Sequence, residues 1–108
     1  MALDIHIGRN EEEAEKKLPV YSIEFVIHET IFYRTPLPLE EMKMVSRFKD
    51  YWSDSHFLIE ELPVLIKELS MLKKHFSQNP QVANVLSGIS ETCATALSAK
   101  EHIWFFCD

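Results

Sequence analysis

Glycine is nearly missing from this chain. Only Gly8 and Gly88 occur in 108 residues, too few and too scattered for a loop that cradles phosphate or a dinucleotide. Cysteine is scarce as well. Cys93 and Cys107 form no CxxC pair and no Cys/His zinc spacing, so they read as free thiols in a reducing cytoplasm. No apolar run approaches the roughly 18 residues of a membrane span, and the opening "MALDIHIG" has no basic segment before a long apolar one, so no signal peptide is expected. Basic residues are outnumbered, 11 against 17 acids, for a net charge of −6. That balance repels phosphate backbones, and no Lys/Arg stripe interleaved with aromatics offsets it. Nucleic acid and membrane are thereby disfavoured as partners.

What is present is an ordinary globular balance, 46% apolar and 26% charged, in a length suited to a single domain over 1–108. An acidic surface fits a basic protein partner and equally serves solubility. Leu3, Ile5 and Ile7 alternate with Asp4 and His6, the pattern of a half-buried strand over 3–7. The charged stretch after Gly8 reads as a solvated loop or frayed helical turn, with Asn10 and Glu13 spaced for a capping box. In 20–27, Tyr21, Ile23, Phe25 and Ile27 alternate with Ser22, Glu24, Val26 and His28; an i+4 row of Ile23, Ile27 and Ile31 competes, but β-branched and aromatic enrichment favours a strand that turns helical near His28. Pro36 and Pro38 stop regular structure.

From Leu39 the period becomes helical. Met42, Val45, Phe48 and Trp52 step by three and four, predicting an amphipathic helix over 39–52. A second helix buries Leu62, Leu65, Ile66, Leu69, Leu72 and Phe76; Pro63 requires it to begin near Ile59 or Glu60, where the missing N–H is not needed. Its acidic first turn and its last turn of Lys73, Lys74 and His75 suit the macrodipole. Asn79 and Pro80 open a third helix, and residues 103–107 form a closing strand. The fold class expected is α+β, a mainly antiparallel three-stranded sheet with three helices packed on one face.

The stretch "RFKDYWSDSHF" (47–57) crowds rings, charges and serines, and it reads mainly as a joint. Phe48 and Trp52 fall on the core stripe, Ser53, Asp54 and Ser55 in a turn, and Phe57 against the next helix. Together with the opening "MALDI" and the closing "IWFFCD", the segment "RFKDYWSDSHFLIEELPVLIKEL" resembles a group of small bacterial proteins of this length with no established activity. That resemblance implies a cytoplasmic bacterial α+β protein and carries no site residues with it.

No nucleophile elbow or P-loop occurs. "HETIF" begins like a zinc-protease helix, but the second histidine is replaced by Phe32, which dismisses the motif. Cys93 sits on an apolar stripe and reads as core. No catalytic residue, cofactor or metal site is assigned. One constellation remains. If 3–7, 20–27 and 103–107 share a sheet, one face carries Asp4, His6, Ser22, Glu24, Val26, His102, Trp104 and Phe106. Helices on the other face leave it open, dimerised or bound to a partner. A second candidate surface is the low-charge side of the third helix, with Gly88, Thr92 and Thr95. The expected function is therefore non-catalytic: an accessory or immunity-like protein that contacts an unidentified protein partner or a second copy of itself. The alternative is a small enzyme, or a metal- or ligand-binding protein, using the sheet-face histidines and carboxylates.

Overall fold

A computed structural model of the chain describes residues 2–34 and 39–107. The two termini pair. Strand β1 (Leu3–Gly8) runs antiparallel to β4 (His102–Cys107), with Leu3 opposite Cys107 and Gly8 opposite His102. Each apolar strand thus satisfies the other's backbone groups. A third strand, β2 (Tyr21–Ile23), flanks β1, and a fourth, β3 (Ser55–Phe57), flanks β4. The sheet order is β2-β1-β4-β3, all antiparallel, so it has four strands rather than the three expected.

Period-two alternation sorts the side chains as the sequence predicts for β1 and β4. Leu3, Ile5, Ile7, Ile103 and Phe105 enter the core, with Ile23 of β2 and Phe57 of β3. Two long helices supply much of the remainder. The first, α3 (Leu62–His75), follows a short 3-10 turn at Ile59–Glu61 and carries Pro63 in its first turn. The second, α4 (Pro80–Ala99), is capped by Asn79, whose side chain accepts from the Val82 amide. Both agree with the expected starts.

Three further expectations fail, each for a physical reason. The strand expected over 20–27 ends at Ile23, and residues Phe25–Phe32 form a helix, α2. The competing i+4 row wins there because His28, Ile31 and Phe32 are buried by it; Phe25 and Val26 then stay outside the sheet and largely exposed. The amphipathic helix expected over 39–52 is instead a pair of 3-10 turns, Leu39–Glu41 and Val45–Phe48. Its buried residues are Met42, Val45, Phe48 and Tyr51, a step of three that matches 3-10 rather than α geometry. Side chains enforce it. The amides of Met44 and Val45 donate to Glu68 of α3 at 3.0 and 2.9 Å, and Asp50 takes the Trp52 amide and the Ser53 hydroxyl at 2.9 and 2.8 Å, so these groups compete with a helical ladder. Trp52 is consequently 56% exposed and Tyr51 takes the core position.

Third, the helices do not all lie on one face. The segment after Gly8 forms a short helix, α1 (Glu11–Lys16), with Asn10 accepting from the Glu13 amide at 2.8 Å. It folds back over the outer face of the sheet. A Cβ on Gly8 would stand 2.8 Å from the Ala14 nitrogen, closer than a side chain can approach backbone, and Ala14 is fully buried. The expected stop at Pro36 and Pro38 lies outside the described residues. Among the described residues no helix is long and apolar enough to cross a membrane.

Candidate functional site

The outer sheet face holds Asp4, His6, His102, Trp104 and Phe106 together, as the alternation of β1 and β4 requires. Ser22 joins them and donates to Asp4 at 2.6 Å. Glu24 does not belong to this face; it is the residue before α2. His102 is committed to the backbone, its Nδ1 accepting the Ile59 amide at 3.0 Å. His6 lies against Phe106, ring centroids 5.0 Å apart, and is buried. Trp104 donates from its indole to the Gly8 carbonyl at 3.1 Å and stacks on His56 at 5.1 Å. A shallow depression of about 290 Å³ is lined by Glu11, Asp54, Ser55, His56, Trp104 and Phe106. It contains the two aromatic residues and neither His6 nor His102. Among the described residues no group of three or more His, Cys, Asp or Glu side chains is placed to hold a metal ion.

The small-residue row of α4 is used inside the molecule at two of its positions. A methyl on Gly88 would overlap the Tyr21 ring, and Thr92 is buried with its hydroxyl donating to the Gly88 carbonyl at 2.9 Å. Thr95 faces outward. Cys93 is in the core, where burial pushes its thiol up to about 12, out of the range of a nucleophile.

A larger feature was not legible beforehand. A cleft of about 410 Å³ lies between α2 and the turn after Phe48, lined by Phe25, His28, Glu29, Tyr33, Arg34, Asp50, Tyr51 and Trp52. Its volume is at the small end of ligand pockets, roughly 300–1,000 Å³. Its wall is aromatic. Phe25 stands 5.3 Å from Tyr51 and 6.0 Å from Trp52, and Tyr51 meets Trp52 edge-on at 5.3 Å. Tyr33, Trp52 and Phe25 are 60, 56 and 42% exposed, so these rings are presented to solvent rather than spent on the core. Tyr51 is anchored behind them, its hydroxyl donating to the Ile23 carbonyl at 2.9 Å.

The polar lining includes two carboxylates, Glu29 and Asp50, an arginine and a histidine. Asp50 is held below the usual carboxylate range by the Trp52 amide and the Ser53 hydroxyl, so it carries charge at neutral pH. Glu29 is engaged with Arg34 at 2.9 Å. His28 is 1% exposed and its Nε2 lies 2.7 Å from the Phe48 carbonyl oxygen. Burial pulls its pKa down against the opposing pull of that carbonyl and of Asp50. The only advance signals were Asp50 and Trp52 in the crowded joint and His28 in "HETIF"; nothing in their spacing says that they meet.

Comparison with known proteins gave no family model that matches the chain, no curated protein that matches it and no solved structure that matches it.

Proposed function

We propose that this protein acts by binding another protein, without chemistry of its own, and that the aromatic cleft between α2 and the 48–53 turn is its principal contact surface. The observation that carries this is the convergence of three exposed rings, Phe25, Tyr33 and Trp52, on one cleft. Exposed aromatic clusters rimmed by charge mark interaction sites. The net charge of −6 suits a basic partner, in the manner of a cytoplasmic bacterial accessory or immunity-like protein. The depression at Trp104 and Phe106 is a secondary surface, with its indole already tied to Gly8. The sheet-face histidines offer less to an enzyme reading, since His102 is bonded to backbone and His6 lies under Phe106.

The test compares wild-type chain with Trp52→Ala and Trp104→Ala, each first shown by circular dichroism to be folded. Proteins retained from lysate by the wild type are purified, and their affinity is measured by calorimetry with all three chains. Trp52→Ala should weaken the direct complex at least tenfold, about 1.4 kcal/mol, while Trp104→Ala changes it less. Equal binding by wild type and Trp52→Ala, or no complex that survives purification, counts against the proposal.

A further inference from the structure

If the cleft is the contact surface, as proposed above, its lining also says what kind of group enters it. The histidine decides most. A carbonyl oxygen only accepts, so the 2.7 Å contact with Phe48 requires the proton on Nε2 of His28. In the neutral ring Nδ1 is then a bare lone pair. That nitrogen is buried and has no protein partner among the described residues, although buried acceptors are normally matched with a donor. It calls for an N–H from outside.

The surroundings select the charge on that donor. Asp50 adds a carboxylate whose two oxygens accept, among the described residues, from its own turn. Arg34, the one cation among the described lining residues, is neutralised by Glu29. Phe25 and Trp52 line the cleft with exposed rings, and aromatic rings attract ammonium and guanidinium groups. Tyr33 already attracts one, the Lys49 ammonium lying 5.4 Å from its centroid, so that ring is partly satisfied and the other two supply the remaining attraction. A bare acceptor nitrogen, a carboxylate and aromatic rings around one cleft share one complement.

We propose that the cleft receives the end of a lysine or arginine side chain of the partner protein, a cationic N–H donor on an apolar stem. In the bound state the lining side chains shift to uncover Nδ1 of His28, the N–H donates to it, the charge faces Asp50, and the stem lies against Phe25 and Trp52.

The experiment titrates the full chain with butylammonium, butylguanidinium, butyltrimethylammonium and butan-1-ol, following the Trp52 indole and His28 ring nitrogens by heteronuclear magnetic resonance. Butylammonium or butylguanidinium should shift both signals saturably in the millimolar range, with butanol at least tenfold weaker. The trimethylated probe, which lacks an N–H, should leave Nδ1 of His28 unshifted. Asp50→Asn, which keeps one of the turn's two acceptor oxygens, should weaken the cations roughly three- to tenfold and leave butanol unchanged. Equal binding of butanol, or an identical Nδ1 shift with the trimethylated probe, overturns the inference. Absence of binding by either cation overturns it too, while a partner complex lost in Trp52→Ala would leave the contact surface standing. Cation binding together with a partner complex indifferent to Trp52 overturns the assignment to a partner's side chain.

Discussion

Replacing Glu68 tests whether the turn that builds one wall of the cleft is held as described. Glu68 lies on the buried side of α3, 7% exposed, and one of its oxygens accepts from the amides of Met44 and Val45 at 3.0 and 2.9 Å. A hydrogen bond to a carboxylate contributes roughly 1.5–3 kcal/mol, so two of them amount to about 3–6 kcal/mol gross. Part of this offsets the several kcal/mol that burying a carboxylate costs. Glu68→Met keeps the volume but strands both amides in an apolar site, and the net loss should be about 3 kcal/mol. Glu68→Gln keeps an acceptor oxygen and should lose about 1 kcal/mol. Urea unfolding reads both; at the slopes of small proteins, about 1–3 kcal/mol per M, the methionine variant's midpoint falls by about 1–3 M. Hydrogen exchange at Val45 should accelerate in the same variant, because that amide loses its only described acceptor. A methionine variant as stable as wild type, with unchanged protection at Val45, would refute the role given to Glu68. It would also leave the 3-10 turn at 45–48 without its cause.

The lowered pKa of His28, set by burial, gives stability an acid-side dependence. The folded state binds its proton less readily than the unfolded one, so the contribution is complete above the ordinary value near 6.5 and is lost as pH falls through and below it. Wild type should lose more of its urea midpoint between about pH 7.5 and about pH 5 than His28→Gln does; parallel losses would remove His28 as the cause. Gly8→Ala would push a methyl to 2.8 Å from the Ala14 nitrogen, and because the neighbour is backbone it cannot rotate away. A loss of about 1–3 kcal/mol is expected, visible as a lower melting temperature, and an unchanged one would mean that α1 lifts off the sheet freely.

Where one pattern admitted one geometry, the sequence was enough. The alternation in Leu3–Ile7 and in Ile103–Cys107 determined two strands and their buried faces. The stripe from Leu62 to Phe76 with Pro63 near its start, and the Asn79–Pro80 cap, determined α3 and α4. These signals are local: side-chain period and capping groups lie within a few residues of the backbone they control. Where two periods overlapped, only tertiary contacts could choose. Ile23, Ile27 and Ile31 fit strand and helix alike, and the outcome depended on three residues of pairing with β1 and on the burial of His28 and Phe32 beyond them. The 42–52 segment carried a stripe compatible with α or 3-10 geometry, and the deciding acceptor, Glu68, comes from a helix formed later in the chain. Lys100 takes the left-handed conformation at the end of α4, φ 58°, which a glycine there would have announced and a lysine conceals. The cleft belongs wholly to tertiary structure. His28 and Asp50 reach it from segments joined only through folding, and what makes His28 informative, a buried nitrogen with its proton on the far side of the ring, exists only once Phe48 has been placed beside it.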